Sequence, residues 1–145
     1  MNGTDLILRE TARIIDFRGL HTGAQFATNI GRRSSLEAPL DVCAAVYAAT
    51  TGHVPDVFYT DEVASLTLIE SNEQAMAAIR AISAALDSEP CETEIEPGTR
   101  VPDYIEHVSN WAATRAPFAS APPSTSEVIG RILRAAQQLT AQTAA

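Results

Sequence analysis

Apolar residues recur at helical spacing in several stretches of the chain, and glycine and proline cluster in the breaks between them. Leu8, Ala12 and Ile15, with Ile7 and Ile14 beside them, form one stripe behind Thr4 as N-cap, which predicts a helix ending at Gly19. Arg9, Glu10, Arg13 and Asp16 occupy its solvated flank. Leu40, Cys43, Ala44 and Tyr47 predict a second helix, opened by a Ser34/Glu37 capping box with Pro39 in its first turns and stopped by Gly52. Its alanines let neighbouring helices approach closely, so it is expected at the centre. Met76, Ile79, Ile82 and Leu86 trace a third helix behind Ser71 and Gln74. Tyr104, Ile105, Val108 and Trp111 mark a short fourth. Ser124 with Glu127 opens the last, which runs through Val128, Ile132, Leu133, Ala136 and Leu139.

The intervening segments read differently from one another. Residues 19–34 carry Gly19, Gly23 and Gly31 among Thr22, Thr28 and Asn29 and predict an ordered loop. Residues 53–70 are ambiguous: Val57, Phe58 and Tyr59 favour a strand, whereas Thr60 to Leu66 can start a helix, and a turn plus a short helix is the preferred reading. From Ser88 to Asp103, Pro90, Pro97, Gly98 and Pro102 alternate with glutamates, which predicts a solvated, mobile loop. Pro117, Pro122 and Pro123 force an extended connector. The sum is an all-α fold: a compact bundle of four to five helices with two long polar loops. It forms a single helical domain over residues 1–139, with residues 140–145 as a frayed C-terminal tail.

Composition narrows the class. At 145 residues and 46% hydrophobic content the chain suits one globular domain with one core. No apolar run approaches the length of a membrane span, and Asp5, Arg9, Glu10 and Arg13 stand where a signal peptide needs an apolar stretch, so the expectation is a cytoplasmic protein without membrane contact. The net charge of −8 is unevenly spread: residues 1–40 carry +1, residues 41–106 carry −11 and residues 107–145 carry +2. So acidic a middle repels phosphate backbones and argues against general nucleic-acid binding. Cys43 and Cys91 form no CxxC pair, and with His21, His53 and His107 they give no zinc-ligand spacing, so neither a metal nor another cofactor is expected.

Few constellations carry chemistry. Arg32, Arg33, Ser34 and Ser35 stand before the second helix, where guanidinium groups, hydroxyls and free first-turn amides can converge on an anion. The simpler reading makes them solvated loop charges and a cap. Cys43 with His21 is the available nucleophilic pair, although a cysteine between Val42 and Ala44 usually packs as a small hydrophobe. His21, Cys43 and Trp111 are the candidate pocket residues, with Trp111 otherwise read as core on the stripe of Tyr104 and Val108. Asp41, Asp61, Glu62, Glu70 and Glu73 read as solvated acidic surface, His107 as a helix-surface residue and His53 as a turn residue. No catalytic residue is assigned.

Gly19-Leu20-His21-Thr22-Gly23, Cys43-Ala44-Ala45, Ala75 to Leu86, Asn110-Trp111 and Ser126-Glu127-Val128-Ile129 follow one another in an order that resembles a small actinobacterial and phage family of unknown function. That family has a Gly-Trp-x-x-Gly turn, a Cys-Ala helix and a Trp-Asn-Asp turn; here Leu20 replaces the first tryptophan and Ala112-Ala113 follow Trp111. The resemblance implies a helical fold and no activity.

These readings favour an intracellular interaction or regulatory module without catalytic activity, binding a protein partner or itself through complementary acidic and basic surfaces. The alternative is a small-ligand or anion-binding protein, or a small enzyme, built on the 19–35 loop with His21, Arg32 and Arg33. A helix-turn-helix DNA reader fits least, because no helix pairs a basic face with a short preceding turn.

Overall fold

A computed structural model describes residues 3–28 and 37–144. Among them are seven helices and one hairpin: α1 (Gly3–Arg18), α2 (Val42–Thr51), α3 (Val57–Thr60), α4 (Glu62–Glu70), α5 (Glu73–Ala84), β1 (Glu92–Glu96), β2 (Thr99–Pro102), α6 (Tyr104–Ala113) and α7 (Thr125–Ala144). Helix α1 packs along α7 and against α2, and α5 touches α1, α2, α6 and α7. Helix α2 buries Val42, Cys43, Ala44, Ala45, Val46 and Ala48, so nearly every face of it meets protein. Small side chains make that possible, since they let neighbouring backbones close in. Helix α7 extends to Ala144.

The all-α expectation of four to five helices with two polar loops is corrected by the antiparallel pair β1–β2. Residues 92–96 alternate Glu with Thr93 and Ile95, and both of the latter favour strands. Proline and glutamate content masks that alternation. Pro97 and Gly98 form the turn, Gly98 at φ 83° in the left-handed region that glycine tolerates, and Pro102 ends β2. Asp103 fastens the base of the hairpin: its N–H donates to the Cys91 carbonyl at 2.7 Å, and its Oδ2 accepts from Thr93 Oγ1 at 2.8 Å. Its Oδ1 accepts from the Glu106 amide at 3.0 Å and so caps α6.

Two other boundaries move. Asp41 caps the second helix, the predicted cap Ser34 lying outside the described residues, and Leu40 is drawn into bridges with Leu20 and Ala27 instead of a first turn. Asn72, not Ser71, caps α5 through its bond from the Ala75 amide at 3.0 Å. The Ser124/Glu127 box forms in both directions, each bond at 3.2 Å. Residues 53–70 become two short helices, α3 and α4.

The segment 19–28 is fixed by backbone bonds. His21 N donates to Leu40 O, Phe26 N and Ala27 N both donate to Phe58 O, and Asp41 N donates to Phe26 O at 2.8 Å. Phe26 and Phe58 pack with ring centroids 5.9 Å apart. This strapping carries the segment across the N-terminus of α2 and shapes the cavity described below.

Candidate functional site

Helix α6 reaches two buried polar groups. On one side, Ser109 Oγ lies 3.2 Å from Asp41 Oδ1 and 3.6 Å from Cys43 Sγ, and its hydrogen serves one acceptor at a time. Asp41 Oδ1 also accepts the Cys43 amide at 2.7 Å. Cys43 Sγ donates to the Ile105 carbonyl at 3.8 Å. Asp41 is only 7% exposed, which corrects its reading as solvated surface. Burial pushes its carboxyl up to about 6, against the opposing bonds from Ser109 and the Cys43 and Ala44 amides and the nearby charge of His21. Burial, then the Asp41 charge, drives the Cys43 thiol well above its ordinary value. A thiol so placed is inert, because the thiolate is the nucleophile.

On the other side, His107 Nδ1 lies 2.6 Å from Ser83 Oγ and Nε2 lies 2.8 Å from Ser88 Oγ. His107 is buried, not on the surface as its sequence position suggested. The neutral ring donates through one nitrogen and accepts through the other, tying α6 to both ends of the turn after α5. Burial lowers its proton affinity. Ser83 is itself buried, so this pair resembles a nucleophilic dyad in composition but offers a substrate no approach.

The sequence-derived candidates separate in space. His21 Nε2 is engaged by the Ala24 carbonyl at 2.9 Å, while Cys43 bonds to α6. Trp111 lines another cleft, of about 430 Å³, where the Arg131 guanidinium stands 5.8 Å from its ring centroid. Arg131 there also donates to the Ala85 carbonyl at 2.9 Å and meets Asp87 at 3.4 Å. Arg32, Arg33, Ser34 and Ser35 lie outside the described residues.

The structure does form a cavity of about 280 Å³ where segment 19–28, the start of α2, α4 and α6 meet. Asp41, Glu62 and Glu106 bring three carboxyl groups to it from the cap of α2 and from α4 and α6, and Ser109, Asn110 and Gln25 add neutral polar groups. Leu66, Ile105 and Phe26 supply apolar wall. Among the described residues, no arginine lines it. Gln25 Oε1 is buried with no hydrogen-bond partner among the described residues, on a residue whose backbone sits at φ 66°. Among the described residues, no three His, Cys, Asp or Glu side chains converge as a metal-binding group. Sequence reasoning passed over Ser109 and Gln25; the Asp41-x-Cys43 spacing was the available signal, as an Asx cap two residues before a buried cysteine.

Fold and site define a mostly helical domain with a projecting hairpin and an acidic cavity at the cap of its central helix. The profile of a family of unknown function, DUF6197, matches residues 2–139, and the chain belongs to that family. No curated protein and no solved structure matches it. Among the described residues no helix is long and apolar enough to cross a membrane.

Proposed function

We propose that the chain is a non-catalytic binding module that holds a small organic cation, a primary ammonium or guanidinium on a short aliphatic body, in the Asp41 cavity. The carrying observation is the buried Asp41 carboxyl on the cavity wall, for which no basic side chain stands at ion-pair distance among the described residues. Above pH 6 that group is charged, and a buried charge without an ion-pair partner is costly. A ligand cation offsets the cost, Glu62 and Glu106 add to the field, and Leu66 and Ile105 accept an alkyl chain. The scattered placement of the carboxylates favours an extended organic cation over a metal ion. Two free cysteines, one of them exposed, support a reducing, cytoplasmic setting.

Titration of the ¹⁵N-labelled protein with butylammonium and butylguanidinium, against butyrate as control, tests this reading. Butylammonium, with five heavy atoms, is expected to bind at about 1 mM, with amide shifts at Gln25, Val42 and Ser109. Glu62→Gln and Glu106→Gln should each weaken it. An equal response to butyrate, or none at about tenfold higher concentration, overturns it.

A further inference from the structure

The hairpin serves no element of the core. All nine residues of β1 and β2 are exposed, and among the described residues each strand pairs only with the other, leaving both outer edges open. Two-stranded hairpins are marginal in water, so the order of this one rests on the Asp103 fastening at its base. Its glutamates at 92, 94 and 96 face a single cation, Arg100, which stands opposite Glu94. Between hairpin and body runs a cleft of about 210 Å³ lined by Thr93, Ile95 and Val101 from the hairpin and by Met76 and Tyr104 from the helices. Ile95 is 60% exposed and Val101 36%, an apolar cost for which the hairpin's own fold gives no return.

From this arrangement we infer that the hairpin is a docking arm for an extended, basic segment of a partner protein in which Lys or Arg alternates with apolar residues. Alternation is what a strand-like occupant needs here. One face of such a segment sets its apolar side chains against Ile95, Val101 and Met76, and the other meets the glutamates. Open edges supply backbone donors and acceptors for pairing, and the residue charge decides which segments enter: acidic ones are repelled. Cross-strand charge pairs of this kind are individually small, so the apolar cleft supplies the anchor and the glutamates the selectivity.

The full chain, ¹⁵N-labelled, is titrated with a ten-residue peptide alternating lysine with valine, and with its glutamate-for-lysine counterpart. Amide shifts confined to residues 91–103 and to Met76 and Tyr104, with affinity falling about tenfold or more as salt is raised, are expected for the basic peptide alone. Glu92→Gln/Glu94→Gln/Glu96→Gln should remove most of the affinity, and Ile95→Ser should do so at unchanged salt dependence; neither touches the Asp103 fastening, and unaltered hairpin shifts in the free variants verify folding. Binding that ignores the triple variant, shifts centred on Gln25 and Ser109, or concentration-dependent self-association through the hairpin without peptide, overturns the assignment. Failure of butylammonium to bind leaves this outcome unaffected, because the two surfaces share no charged group.

Discussion

Asp41→Asn isolates the burial of one carboxyl. Asparagine keeps an oxygen for the Cys43 amide at 2.7 Å and for Ser109 Oγ at 3.2 Å, and it caps helices about as well as aspartate. It removes the charge and one acceptor oxygen. In the folded protein the carboxyl titrates at about 6, against 3.8 in an open chain. The native state therefore holds this proton more tightly than the unfolded chain does. Below about pH 4 both states are protonated and nothing is lost; between 4 and 6 the unfolded chain ionises first and stability falls as pH rises; above 6 the loss is complete. At about 1.4 kcal/mol per tenfold change in proton affinity, that loss is about 3 kcal/mol. The Asn amide cannot accept from the Ala44 N–H, which takes back about 1 kcal/mol. The variant should thus be more stable than the parent by about 2 kcal/mol at pH 7.5, with the advantage vanishing and then slightly reversing as pH falls toward 4. Urea melts at pH 4, 5, 6 and 7.5 at constant slope measure it, and other titrating groups cancel between the two proteins. A variant less stable than the parent at pH 7.5, or a difference flat across that range, refutes the reasoning, since the carboxylate would then be welcome as an anion.

Three further outcomes follow from the same contacts. His107→Ala strands the buried Ser83 hydroxyl and opens a gap between α5 and α6, at a cost of about 3 kcal/mol in chemical denaturation. Because burial lowers the His107 pKa below 6.5, the native state binds that proton less readily than the unfolded chain; its contribution is present above pH 6.5 and lost as pH falls, and His107→Ala should flatten that acid limb. Iodoacetamide should modify Cys91 at the rate of a free thiol and leave Cys43 untouched until the protein unfolds; comparable native rates would contradict the burial of Cys43. Arg131→Lys should cost about 1–2 kcal/mol in thermal melts, because lysine cannot hold the Ala85 carbonyl, Asp87 and the Trp111 face together, whereas Arg134→Lys should change little.

What the sequence disclosed depended on how local the cause was. Helix α1 and its stop at Gly19, the end of α2 at Gly52 and the Ser124/Glu127 box rest on spacing within a few residues, and the chain adopts them. The hairpin was hidden by competing local signals: proline and glutamate spoke for a loop, the Thr93/Ile95 alternation for a strand, and the turn at Pro97-Gly98 decided between them. Asp41 and His107 were misread for another reason. Each is covered by segments far along the chain, Asp41 by Ser109 at 68 residues' separation and His107 by Ser83 at 24, so local sequence carries no sign of His107's burial and only the Asp41-x-Cys43 cap spacing as a sign of Asp41's. The cavity is of this kind too, assembled from four segments that only the folded chain brings together.

Helix α6 shows how these non-local contacts depend on one another. At ten residues it is too short to be stable alone, so its position is set by what it touches. Asp103 fixes its start and the hairpin's base with one side chain; His107 fixes its middle to α5; Ser109 fixes its far side to the cap of α2. Each anchor is a polar group that is buried or half-buried, and each loses more by being left unpaired than it gains by being paired. The same helix therefore presents Glu106 and Ser109 to the cavity and Tyr104 to the hairpin cleft, and the geometry of both surfaces is held by three hydrogen-bonded junctions rather than by the apolar stripe that first marked the helix in the sequence.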